Sequence, residues 1–225
     1  MIYITGDMHG DRGRFLFFPW DKLLNQNDTL IVCGDFGFLF FADEQELRFL
    51  DTLEGYAFTI CFLDGNHENF DAINAFPQET WHGGRVHRIR KNVLHLMRGQ
   101  IFALEGKTFF TMGGAYSIDR YRRVRNESYW EEELPSNEEY RQAAKNLEQH
   151  GFHVDYILSH TAPGSIILRL CATPDPHDAE LTGFLDWVLH ETQFRHWYFG
   201  HWHMDRTITP QCTAVYQKTI RLTEQ

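Results

Sequence analysis

The residues in this chain best suited to chemistry are aspartates, histidines and one asparagine that directly follow short apolar runs. Asp7 and His9 come after an apolar run that begins at Ile2 and breaks at Gly6. On an extended chain, side chains two apart point the same way, so an oxygen and a nitrogen ligand can face one target. Asp35 follows the run at 29–33, and Asn66 and His67 follow the run at 57–63. His160 follows 154–158, and His201 and His203 follow 196–199. Two imidazoles two residues apart can chelate one ion or divide between two. One such pair is ordinary loop chemistry; the repetition at five strand ends points to a metal centre.

The elements needed to hold these residues are legible as well. In the first third of the chain, buried runs near 2–5, 29–33 and 57–63 alternate with helical patterns at 15–24 and 44–53. Pro19 interrupts the first helical pattern, and Leu47, Leu50 and Leu53 are expected on one face of the second. Alternation of this kind predicts parallel pairing, with ligands gathered where the strands end. Residues 86–112 read as a meander of antiparallel strands. Ser136 followed by Glu138 and Glu139 starts a helix that runs to about Gly151. A further helix is expected over 181–192, and a last strand over 214–222.

Composition narrows the function classes. The chain has 225 residues, 43% of them hydrophobic, enough for one well-filled core, and a single domain over 1–225 is expected. A formal charge of -10 disfavours non-specific binding to nucleic acid or to an anionic membrane. No basic leader precedes the first strand, no apolar run reaches membrane-span length, and the four cysteines show no CxxC spacing. A cytoplasmic protein with reduced thiols is the expectation.

In order, the chain carries Gly-Asp-x-His, Gly-Asp, Gly-Asn-His-Glu, a histidine after a strand, and Gly-His-x-His. This series, from residue 6 to residue 203, resembles the calcineurin-like metallophosphoesterases. The resemblance implies an α/β four-layer sandwich: two packed mixed β-sheets flanked by α-helices. It implies a first metal on Asp7, His9, Asp35 and His203, and a second on Asn66, His160 and His201, with Asp35 bridging. His67 would protonate the leaving oxygen or stabilise charge on the phosphoryl group. Two divalent ions about 3.5–4 Å apart can clamp a phosphoryl group and activate the water between them as nucleophile. The mixed oxygen and nitrogen ligands favour Mn, Fe or Zn over Ca or Mg, with Mn the first expectation.

The match also departs from one branch of that family. Serine/threonine protein phosphatases extend the second motif with an Asp and an Arg; Phe38 and Leu39 stand there instead. With that arginine missing, phosphate binding is expected from Arg120, Arg122 and Arg123, the competing reading being a solvated surface paired with Glu131, Glu132 and Glu133. A second basic run comprises Arg85, Arg88, Arg90 and Lys91. Asp71 is a candidate for orienting His67, and Trp202 should point away from the metals. Phe36, Phe38, Phe40 and Phe41 belong to the core, line a ring-binding pocket, or cover a contact in a homo-oligomer. The resulting expectation is a phosphodiesterase acting on a small or nucleotide-type phosphoester. A phosphomonoesterase, a protein phosphatase and a non-catalytic scaffold of the same fold are the alternatives.

Overall fold

Four-residue apolar strands are too short to bury anything alone, so they stack side by side. The computed structural model describes residues 1–223. Its first sheet contains β1 (Ile2–Thr5), β2 (Thr29–Val32), β3 (Thr59–Phe62), β4 (Gln78–Trp81), β5 (Gly84–Arg90), β6 (Val93–Leu96) and β13 (Ile220–Arg221). The spatial order is β13-β1-β2-β3-β6-β5-β4. The pairs β1/β2, β2/β3 and β3/β6 are parallel, and the outer pairings are antiparallel. The second sheet contains β7 (Gln100–Leu104), β8 (Lys107–Met112), β9 (Tyr156–Ser159), β10 (His196–Phe199), β11 (Arg206–Thr209) and β12 (Cys212–Ala214). Its order is β11-β12-β10-β9-β8-β7, again with a parallel centre and antiparallel edges.

Strand periodicity decides what each face meets. In β2, Leu30 and Val32 pack beneath the helices, whereas Ile31 and the following Cys33 pack between the sheets. The layer between the sheets joins Ile4, Ile31 and Leu63 to Phe109, Leu158 and Tyr198. Burying an aliphatic side chain there stabilises the fold by about 1.5–3 kcal/mol. Outside the first sheet lie α1 (Gly13–Leu16), α2 (Trp20–Leu23), α3 (Glu44–Glu54) and α4 (Phe70–Asn74). Outside the second lie α5 (Asn137–Gln149), α6 (Gly164–Arg169) and α7 (Ala179–Glu191). This is the expected α/β sandwich of two mixed sheets flanked by helices. Among the described residues, no helix is long and apolar enough to cross a membrane.

Three local expectations need correction. The stretch 86–112 is not one meander, because it changes sheet between β6 and β7. The Met97 amide still donates to Arg85 of the first sheet, while the Gly99 amide already donates to Thr111 of the second. Gly99 makes that turn at φ +67, packed against Ala143 of α5. The stretch 214–222 is likewise not one strand; β12 closes in the second sheet and β13 in the first. In α3, Leu47 is exposed and Phe49 takes its place with Leu50 and Leu53 against the sheet. The capping box at Ser136 and Glu139 is present as expected.

Candidate metal centre

The carboxyl ends of β1, β2 and β3 meet those of β9 and β10 at one edge of the sandwich, where the central strands of both sheets run out. Asp7, His9, Asp35, Asn66, His160, His201 and His203 come together there. Asp35 Oδ2 lies 3.6 Å from His9 Nε2 and 3.5 Å from His160 Nε2. His203 Nε2 lies 3.2 Å from Asp7 Oδ2 and 2.9 Å from His9 Nε2. Asn66 Oδ1 lies 3.0 Å from His160 Nε2 and 3.1 Å from His201 Nδ1. Two groupings have the spacing of metal ligands: Asp7, His9 and His203, and Asp7, Asp35 and His160.

The backbone is bent to bring these side chains inward. His9, Asp35, His201 and His203 all adopt positive φ, between 45° and 64°. Such conformations are costly for residues with a Cβ and persist where the surroundings over-determine them. The His9 amide donates to Asp35 O at 2.8 Å, the His67 amide to Asp35 Oδ1 at 2.8 Å, and the His201 amide to Asp7 Oδ1 at 2.9 Å. Two glycines make room: a Cβ at Gly34 would collide with the His160 ring, and one at Gly65 with the Asp35 carboxylate.

The donor set fits a cation. His160 Nδ1 donates to the Cys33 carbonyl at 3.0 Å, which leaves the lone pair of Nε2 facing two oxygens, Asn66 Oδ1 and Asp35 Oδ2. Asn66 Nδ2 donates to Ser117 Oγ at 3.0 Å, so its carbonyl oxygen must be the atom aimed inward. Buried acceptors facing one another repel unless a proton or a metal ion lies among them. In the metal-free protein, burial works to lower the His160 pKa. The Asp35 and Asp7 carboxylates and the Cys33 carbonyl outweigh it and hold His160 above its ordinary value. Burial, reinforced by His160, pushes His201 down to about 4. His203 is raised by its hydrogen bond to Asp7.

His67 stands beside the cluster and belongs to neither grouping with metal-ligand spacing. Its ring meets that of His9 edge-on, with centroids 5.2 Å apart. Arg123 Nη2 is 3.0 Å from His67 Nδ1 and 3.3 Å from Nε2. Near-equal distances to both ring nitrogens place the guanidinium over the ring face. Burial lowers the His67 pKa and Arg123 adds to that, against the pull of Asp35.

The three arginines part company. Arg123 lines the cavity above the cluster, its Nε 2.9 Å from Asp119 Oδ1. Arg120 packs away from the cavity, its guanidinium 4.5 Å from the Tyr129 ring centroid and 3.4 Å from Glu131. Arg122 is exposed over Tyr121. In the second basic run, Arg88 pairs with Glu79 and Arg90 with Asp51.

Other expectations also shift. Asp71 does not orient His67; it accepts from the Trp130 indole at 2.8 Å. Phe36 and Phe38 are core, Phe40 packs on Trp130 and Phe41 is exposed, and none of the four lines the cavity. Trp202 packs against the apolar cluster of the second sheet and reaches the cavity wall. Sequence reasoning passed over Ser117, Asp119 and Asp178. Only the four-residue spacing of Asp119 to Arg123 carried a signal.

This cluster on this fold defines a phosphoric ester hydrolase of the metal-dependent kind. The chain belongs to the calcineurin-like phosphoesterase family, whose family model matches residues 1–205. Among solved structures it is similar to a phosphopantetheinyl hydrolase from Mycobacterium tuberculosis. The identity is 18% and the TM-score 0.48, over 96% of this chain and 87% of that one. No curated protein matches it significantly.

Proposed function

We propose that this chain is a dinuclear phosphodiesterase acting on a small phosphoester, with Asp7, His9, Asp35, His203, Asn66, His160 and His201 holding two divalent ions, Mn foremost. The observation that carries this reading is the place of Asp35, whose Oδ2 lies at nearly equal distances from His9 on one side and His160 on the other. A carboxylate so placed suits a bridge. When bound, the ions supply Lewis acidity at the phosphoryl oxygens and a nucleophile available at neutral pH.

The chain's own residues do the rest. Arg123 offers its guanidinium to a phosphoryl oxygen above the cluster, and Asp119 holds it there through contacts from Nε at 2.9 Å and Nη2 at 3.0 Å. His67, kept neutral by burial and by Arg123, offers a ring N–H as a hydrogen-bond donor to a phosphoryl or departing oxygen, which is the charge-stabilising half of the role expected for it. The cavity over the cluster has a volume of about 640 Å³, suited to a small ligand and not to a folded partner. One domain in a cytoplasmic setting fits the ligand set drawn from both sheets and the four free cysteines.

The test is hydrolysis of bis-p-nitrophenyl phosphate against p-nitrophenyl phosphate by the Mn-loaded protein. Faster turnover of the diester is expected. Preference for the monoester would replace this reading with a phosphomonoesterase, and no turnover of either would remove it.

A further inference from the structure

The cavity above the cluster has an outer wall whose chemistry is unlike its floor. Tyr116, Ile118, Ile167 and Trp202 give it apolar surface, and Asp175 and Asp178 contribute two carboxylates. The nearby cations are already engaged. Arg123 is forked onto Asp119, Arg120 lies with Glu131 and Glu133, and His177 Nδ1 is 2.8 Å from Asp175.

Asp178 is the residue that points to a ligand. It is only 5% exposed, yet it lines the cavity. One of its oxygens accepts from the Tyr116 amide at 2.6 Å; the other has no protein donor among the described residues. Burial, with the Asp175 carboxylate adding to it and the Tyr116 amide opposing it, pushes the Asp178 carboxyl up to about 6. An accessible carboxylate oxygen on a largely buried residue, in a cavity with apolar walls, suits a positively charged donor or a cation with an apolar body.

We propose that this wall receives a cationic amino-alcohol group, so that the preferred substrate is a phosphodiester in which one of the two alcohols is an amino alcohol; this rests on the phosphoesterase reading above. The phosphoryl group sits on the cluster and Arg123, and the cationic arm extends toward Asp178 and Asp175. A second anionic group on the substrate would meet both carboxylates and be repelled. That disfavours nucleoside polyphosphates and nucleic acid.

Three phosphonates that cannot be hydrolysed test the proposal by calorimetry on the Mn-loaded protein. They are (2-trimethylammonioethyl)phosphonate, its neutral isostere (3,3-dimethylbutyl)phosphonate, and (2-carboxyethyl)phosphonate. The cationic ligand is expected to bind about tenfold tighter than the neutral one, and the carboxylate weakest. Asp178→Asn should bring the first two within about twofold of each other. Asp175→Asn, at a more exposed position, should narrow the gap and serves if Asp178→Asn fails to fold. Equal affinity for the cation and its isostere, no binding of any of the three, or a preference that survives both substitutions would overturn the proposal. Turnover of bis-p-nitrophenyl phosphate reads the hydrolase independently, so the two failures are distinguishable.

Discussion

Asn66 and Ser117 are locked to each other in both directions. The Asn66 side-chain amide nitrogen donates to Ser117 Oγ at 3.0 Å, and Ser117 Oγ donates back to the Asn66 backbone carbonyl at 3.3 Å. Without that hydroxyl, nothing dictates which end of the side-chain amide faces His160 and His201. Ser117→Ala is therefore expected to weaken binding of one metal ion by about 10–100-fold, leaving the other site less affected. Mn titration followed by calorimetry checks this, and a single unchanged isotherm would remove the role assigned to Ser117.

Asp35 makes a sharper case. Besides lying between His9 and His160, it accepts the His67 amide through Oδ1. Asp35→Asn keeps the shape but removes the charge that, in the proposed dinuclear site, two ions would share. The expected result is loss of turnover together with less than full metal content by elemental analysis.

The three arginines should separate in kinetics. Arg123→Ala is expected to raise KM for a phosphodiester and lower kcat, because the guanidinium lines the cavity and lies against the His67 ring. Arg122→Ala should leave both constants unchanged. Arg120→Ala should act on stability instead, by about 1–3 kcal/mol, since it removes a cation packed on Tyr129 and the partner of buried Glu133. Chemical denaturation beside steady-state kinetics distinguishes the three outcomes.

A buried polar chain beneath the first sheet predicts a pH dependence of folding. Asp64 Oδ1 is 3.0 Å from His95 Nε2, and His95 Nδ1 is 3.0 Å from His87 Nδ1. Burial, and then the neighbouring His95, push His87 down to about 4. Unfolded, the ring titrates near ~6.5. Between these values the unfolded chain holds a proton that the folded chain refuses, so stability rises with pH through this window and levels off above it. The amplitude is about 3 kcal/mol. The urea midpoint of the protein relative to that of His87→Gln, measured from pH 4.5 to 7.5, should follow this slope.

The clustered residues were readable in advance because strand geometry is local. A short apolar run that stops at a glycine presents its next polar residues at the carboxyl end of a strand, whatever the rest of the chain does. That reasoning reached Asp7, Asp35, Asn66, His160 and His201 alike. It did not separate Arg123 from Arg120 and Arg122, because neighbours in one loop differ only in the partners the loop's path gives them. Asp71 was misjudged for the same reason: closeness in sequence to His67 did not bring it to that ring.

By itself, the sequence determined the residue types and their order at the strand ends, since strand termination depends on near neighbours; the two-sheet architecture was legible only through the family resemblance. Only the tertiary structure decided where the chain crosses between sheets and which arginine overlooks the cluster. It also decided that Ser117 fixes the Asn66 amide and that one oxygen of the cavity-lining Asp178 has no protein donor among the described residues. Those outcomes depend on contacts between segments far apart in the chain, such as Asp178 with Tyr116 and Asn66 with Ser117, and no local pattern encodes them.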